Sequence, residues 1–154
     1  MTNMTHGAIA QHSGVCGENL IEDMFARVNV TGMDYLDWVK EKRKNVLVRQ
    51  FRFTNVYGTN ARLDFVFVTK SGKKIGIESK HQNVGGSTDE KLPFVMLNAG
   101  KCKFDKFYCV LGGEYWTKNR PNQAIAAINK LASKKKYHFK IVKTGQLMGD
   151  IDFE

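Results

Sequence analysis

Apolar positions along the chain fall into two rhythms. From Val46 to Thr54, VLVRQFRFT, apolar and polar residues alternate, the period of a half-buried strand. Strict alternation sets Val46, Val48, Gln50 and Arg52 on one side and Leu47, Arg49, Phe51 and Phe53 on the other. This strand is expected near a sheet edge, with its arginines open to a phosphate. Two more apolar runs follow, from about Ala61 to Thr69 and from about Lys74 to Lys80. Lys70-Ser71-Gly72-Lys73 between them marks a reversal, so the two read as a hairpin. Phe104 to Gly113 is strongly apolar and belongs in a sheet interior. Tyr137 to Lys143 alternates as an edge strand, and a short strand is expected around Gln146 to Ile151.

The other rhythm is helical. Ile21, Met24, Phe25 and Val28 recur at the spacing of one helix face, which predicts a helix from Ser13-Gly14 to about Val28. Residues 1–12 read as a loose arm or an irregular helix start. Thr31-Gly32 breaks the pattern, and Met33 to Lys44 reads as a short second helix. The basic run Lys40, Lys42, Arg43 and Lys44 complements the dipole at its end, and equally fits an edge that touches phosphate. Asn55 to Asn60 is a loop. A third helix runs to about Ala99, with Pro93 implying a kink or a late start. A fourth covers Asn122 to Ser133. The order of elements predicts one α/β domain over residues 1–154, a mixed sheet with helices on both faces.

Composition narrows the partners. Apolar content of 42% and charged content of 25% are those of a globular domain. A formal charge of +9 favours an anionic partner, and nucleic acid is the expected one. Cys16, Cys102 and Cys109 form no paired spacing and point to a reducing compartment. No run reaches membrane-spanning length and the first residues lack a signal-peptide pattern, so an intracellular, cytoplasmic protein is expected.

The chemistry concentrates in the hairpin. Asp64, Glu78 and Lys80 are charged residues inside apolar strands, and burying a charge is costly unless it is paired or binds a metal. Glu78 and Lys80 share a face, and Asp64 falls opposite or diagonal to Glu78. Two carboxylates suit a hard cation such as Mg²⁺, and a lysine beside them can orient an attacking hydroxide or neutralise phosphate charge. A second acid-x-lysine group, Asp89-Glu90-Lys91, lacks a preceding strand and reads as a loop or helix start.

Asp64, a turn, and then Glu78-Ser79-Lys80 resemble the PD-(D/E)xK nuclease superfamily. Its members include restriction endonucleases, archaeal-type Holliday-junction resolvases and phage endonucleases. Leu63 stands where the family name has proline, and Gln82 follows Lys80 at the spacing of the Q-containing variants. The likeness spans about residues 14–113. It implies a restriction-endonuclease-like core, a central mixed β-sheet flanked by helices. It also implies a Mg²⁺-dependent endodeoxyribonuclease, with Mn²⁺ able to substitute. Asp64 and Glu78 would ligate the metal with the Ser79 carbonyl, Lys80 would position the hydroxide, and Gln82 would orient water or backbone.

Glu18 extends the buried stripe of the first helix, and Gly14 to Glu18 matches a Gly-x-x-x-Glu pattern of the superfamily. By resemblance it is the helix-borne acid of the site. A carboxylate that only complements the helix dipole is the other reading, and Glu22, one turn on, is the other candidate. For DNA contact the chain offers Arg49, Arg62, Ser87 and Lys91, where Ser87 and Glu90 also have capping-box spacing. Tyr115 and Trp116 could stack on a base or pack on a helix. Two-strand cleavage implies a homodimer. Expected substrates are junctions and branched DNA, or a specific site. The competing reading is a non-catalytic nucleic-acid-binding module that retains the fold; metal-dependent nicking separates the two.

Overall fold

Ile21 and Phe25 lie one turn apart and both are fully buried, which fixes the inner face of the first helix. The computed structural model describes residues 6–83, 88–117 and 119–154. In order these form α1 (His6–Ala26), β1 (Thr31–Asp34), α2 (Tyr35–Glu41), β2 (Val46–Thr54), β3 (Asn60–Val68), β4 (Lys74–His81), α3 (Thr88–Cys102), β5 (Lys106–Gly112), a 3-10 turn (Glu114–Thr117), α4 (Asn119–Ala132), β6 (Phe139–Lys143) and α5 (Thr144–Asp150). The strands make one mixed sheet in sequence order, β1 to β6. β2, β3 and β4 pair antiparallel as a meander, and β1–β2, β4–β5 and β5–β6 pair parallel. The α/β class and the mixed sheet follow the expectation.

Each face of the sheet carries its own apolar layer. Val46, Val48, Val66, Cys109 and Ile141 meet Trp38, Leu92, Met96 and Ile128 on the side of α2, α3 and α4. Leu47, Phe65, Phe67, Ile75 and Ile77 meet Ile21, Phe25 and Leu147 on the side of α1 and α5. Each fully buried side chain of this size contributes about 1.5–3 kcal/mol.

Several boundaries depart from the sequence reading. α1 begins at His6, so residues 6–12 are helical rather than a loose arm. Residues 31–34, read as a break and helix start, are a strand that pairs with the first half of β2. That puts the first half of β2 inside the sheet, while Phe51, Arg52, Phe53 and Thr54 pair with β3 alone among the described residues and keep the expected edge character. α2 then ends at Glu41, because Lys42 turns left-handed (φ 51°) and its N–H closes on the Trp38 carbonyl. The strand expected at Gln146 to Ile151 is α5 instead. Its first turn is capped by the Gln146 side chain, which accepts from the Lys143 N–H at 3.0 Å. β6 does form an edge, and Asn129 blunts it: its oxygen accepts from the Ile141 N–H (2.8 Å) and its nitrogen donates to the Ile141 carbonyl (3.1 Å).

The most consequential departure lies in the middle of β2 and β3. Val46 and Val48 face the α3 layer, but so do Phe51 and Phe53. On β3, Val68 and Val66 face that layer, and so does Leu63. Alternation therefore shifts by one residue in both strands. The shift centres on Gln50, which has φ 50°, and on Asp64 across from it. The pairing runs Arg49↔Phe65 and Phe51↔Leu63 and skips the step between. A left-handed residue with a side chain costs roughly 1–2 kcal/mol. Turning Phe51, Phe53 and Leu63 inward is worth several kcal/mol, so the apolar pattern outweighs the strain.

Candidate active site

β3 and β4 pair only from Val68↔Lys74 to Phe65↔Ile77 and then part. Asp64 stands in the fork. Its Oδ2 accepts from the Ser79 N–H at 2.8 Å, and its own N–H donates to Glu78 Oε2 at 3.3 Å. The N–H and C=O of one strand residue point to the same side. The Ser79 carbonyl is therefore directed into this fork too. Lys80 Nζ donates to Glu78 Oε1 at 2.9 Å, and both side chains are largely buried. The sequence placed Asp64 opposite or diagonal to Glu78, and the structure brings Asp64, Glu78 and Lys80 together.

α1 supplies the third acid. Glu18 lies against Asp64, within hydrogen-bonding reach of its carboxyl. The close approach depends on Gly17: a Cβ there would stand 2.7 Å from Ser79 Oγ and 3.0 Å from His81 Cβ. Glu22 is turned elsewhere. Its Oε1 accepts from Arg49 Nε and pairs with Nη2, both at 2.7 Å. Arg49 Nη1 also donates to Asp34 Oδ1 at 2.9 Å, so this guanidinium ties α1 to the end of β1.

The electrostatics follow from burial. Desolvation raises the Asp64 carboxyl to about 7, partly countered by the Ser79 N–H and reinforced by Glu18. Burial, and then repulsion from Asp64, raises Glu78 to about 6 against the pull of Lys80. Burial alone would lower Lys80, but Glu78 and Asp64 hold its net shift upward. Cys109 pairs with Glu78 in the register of β5 and is fully buried, with its thiol pushed up by burial and by Glu78. Cys102 is raised to about 12 for the same two reasons. Neither thiol is poised as a nucleophile.

Three carboxylates thus face one ammonium in a poorly solvated fork. That donor set, all oxygen and over-negative, fits a hard divalent cation. Among the described residues no three acidic, cysteine or histidine side chains already form a cage. Glu78 is turned toward Lys80 and Asp64 toward Glu18.

The remaining expected residues spread out. Gln82 follows β4; its N–H donates to the Gly112 carbonyl (2.9 Å) and its carbonyl accepts from the Tyr115 N–H (3.1 Å). Gly113, with φ 94°, lets the next chain segment pass close against that carbonyl. Arg62 is exposed and pairs in register with Arg52, also exposed. Lys91 is exposed on α3, and Ser87 lies outside the described residues. Tyr115 and Trp116 are buried against each other, edge to face at 5.0 Å, which is the packing arrangement. Sequence reasoning set Gly17 on the inward stripe of the first helix beside Glu18 but gave it no role. It also missed Gln50, whose only trace is the broken alternation of VLVRQFRFT.

A family model described as PD-(D/E)XK nuclease superfamily domain matches residues 9–148. Comparison with curated proteins and with solved structures gave no match.

Proposed function

The chain belongs to the PD-(D/E)XK nuclease superfamily, and on that premise we propose that it is a divalent-cation-dependent DNA endonuclease acting at the β3–β4 fork. One observation carries the reading: Asp64, Glu18 and the Ser79 backbone converge in the fork, with Lys80 held beside them by Glu78. Asp64, Glu18, Glu78 and the Ser79 carbonyl are the groups that would hold Mg²⁺ or Mn²⁺. When bound, such a cation supplies a lowered pKa for water and neutralises charge on phosphate oxygens.

The chain's own groups do the rest. Lys80 keeps a full positive charge at the edge of the fork, where it orients the attacking oxygen and faces the phosphate as negative charge builds. Glu78 holds that ammonium in place. Gln82, fixed by β5 and the following 3-10 turn, borders the same strand end and orients water or backbone. Arg62 and Lys91 are exposed cations for backbone phosphates, and the net charge of +9 adds steering toward DNA. Cleavage of two strands takes two such forks, which a homodimer provides.

The test is cleavage of supercoiled plasmid, linear duplex, single strands, flaps and four-way junctions in Mg²⁺, Mn²⁺ or EDTA. Asp64→Ala and Lys80→Ala should abolish cleavage while DNA retention persists. Full cleavage by either variant, or cleavage that survives EDTA, rejects the assignment. DNA retention with no cleavage of any substrate would favour a binding module that keeps the fold.

A further inference from the structure

Gln50 is exposed, sits in the interior of β2, and holds a left-handed backbone (φ 50°) directly across from Asp64. It carries no strand pairing at that step, while every neighbouring step from Val46 to Thr54 is paired. The consequence reaches both strands. Inboard of Gln50, Leu47 on β2 and Phe65 on β3 face the α1 layer. Outboard, Phe51 and Leu63 face the α3 layer, so Arg52, Arg62 and Asp64 take the opposite face. Had alternation continued unbroken from Val46 and Val66, Asp64, Arg52 and Arg62 would all point into the α3 layer. Where β3 and β4 part beyond Phe65↔Ile77, the Asp64 N–H donates to Glu78 Oε2. Arg52, whose guanidinium lies 5.6 Å from the Tyr35 ring, and Arg62 then line a groove of about 310 Å³ with Gln50, Arg49, Asp34 and Asp37.

We propose that Gln50 is a positioning residue, acting through its backbone. Its left-handed turn brings Asp64 out beside Glu18 and sets the arginine pair on the same face of the hairpin. The sense of this device rests on the nuclease reading, because it aligns the acid that would bind the cation with cations that would bind a phosphodiester strand. The side chain of Gln50 is exposed and makes no hydrogen bond among the described residues, so glycine, which adopts a left-handed backbone freely, should serve in its place. Valine should not, because a β-branched residue resists positive φ.

Two variants and two readouts test this. The amide resonances of Asp64 and Ser79, both hydrogen-bonded to carboxylates, are followed by NMR in the wild type, Q50G and Q50V. Q50G is expected to keep both downfield shifts. Q50V is expected to lose both while the amides of Val66 and Gly76, inboard of the turn, stay in place. In cleavage assays Q50V should fall at least tenfold below Q50G in kcat, with KM within threefold. Wild-type amide positions in Q50V with undiminished kcat overturn the proposal. So does loss of the shifts in Q50G, since that assigns the role to the side chain. Should Q50V fail to fold, loss of the shifts in Q50G still overturns the proposal. A wild type that cleaves nothing but shows the expected amide pattern defeats the nuclease reading and supports the positioning role.

Discussion

The carboxyl of Glu18, on α1, faces that of Asp64, on β3, across the seam where the first helix lies against the sheet. A poorly solvated carboxylate that faces a second one is costly to ionise, so Asp64 favours its protonated form. Burial first, and Glu18 with it, carries Asp64 to about 7 from an ordinary 3.8. A raised folded-state pKa means that folding favours the protonated form. The stabilisation is complete below about pH 4 and is lost as pH rises through 7. The cation-free protein should therefore weaken between pH 4 and pH 8. Asp64→Asn removes this dependence, and it should be more stable than the parent at pH 8 by up to about 4 kcal/mol, with the two converging near pH 4. Urea unfolding at several pH values in EDTA measures the gap. A gap of constant size across that range would show that the Asp64 proton is not its source.

The same proton competes with a cation. Mg²⁺ or Mn²⁺ must displace it, so binding should strengthen as pH rises from about 6 to 8, where Asp64 (about 7) and Glu78 (about 6) ionise. A ligand at a hundred times its Kd stabilises a folded protein by about 2.7 kcal/mol. The melting temperature should accordingly rise with Mn²⁺ at pH 8 and barely move at pH 5.5. Asp64→Asn should flatten the response at both. An equal rise at both pH values would place the cation somewhere other than this fork.

Lys80 and Glu78 pose the reverse problem. Their contact at 2.9 Å is a largely buried ion pair. Removing one partner of such a pair commonly costs about 3–5 kcal/mol, because the other is left unpaired. Lys80→Ala deprives Glu78 of the ammonium that lowers it, so its carboxyl should rise above 6 and take up a proton. The variant should lose about 3 kcal/mol at pH 8 and much less at pH 5, with cleavage abolished and DNA retention kept. Equal loss at the two pH values would show that the ammonium matters for packing rather than for charge.

Much of this arrangement could be read from residue order. Asp64, Glu78 and Lys80 stood out because charge in apolar strands demands a partner, and the turn at Lys70 to Lys73 set their approximate register. Glu18 was legible as a polar residue on a buried stripe. What escaped was set by tertiary contact. Thr31–Asp34 is too short for any period to show, and becomes a strand only by lying along β2. Leu147 and Ile151, spaced one turn apart and both buried, were read as strand because the segment is short. Arg49 looked free for phosphate, and only the fold reveals Glu22 and Asp34 on either side of it. The face exchange at Gln50 was visible as Phe51 and Phe53 falling on the wrong side of a strict alternation.

Gly17 sets how closely α1 approaches the fork. A larger side chain would meet Ser79 Oγ at a distance real contacts do not show and His81 Cβ at a very tight one, and the His81 Nδ1 is already enclosed without a hydrogen-bond partner among the described residues. Gly17→Val should push the helix outward and cost about 1–3 kcal/mol, the usual range for overpacking. Glu18 would then retreat from Asp64. Cleavage should fall by more than tenfold at saturating DNA, and the pH dependence of stability should shrink as the carboxyls separate. A variant that is destabilised yet keeps the full pH dependence would show that Gly17 does not govern the Glu18–Asp64 contact.

Arg49 and Arg62 lie on neighbouring strands and should behave differently. Arg62 is exposed and carries no ion pair among the described residues, whereas Arg49 is held by Glu22 at 2.7 Å and Asp34 at 2.9 Å. A free cation on the face of Asp64 is available to a phosphate, and each phosphate contact adds nearly one to the slope of log affinity against log salt. Arg62→Ala should weaken DNA retention about equally for all sequences and reduce that slope by about one, with little change in melting temperature. Arg49→Ala should leave the slope intact. Its two partly exposed pairs together hold α1 to β1, so its effect should be a loss of about 1 kcal/mol in stability. Salt titrations of both variants on one duplex separate the roles. A reduced slope in Arg49→Ala would mean that this guanidinium leaves its carboxylates for the DNA backbone, and α1 would then be part of the binding surface.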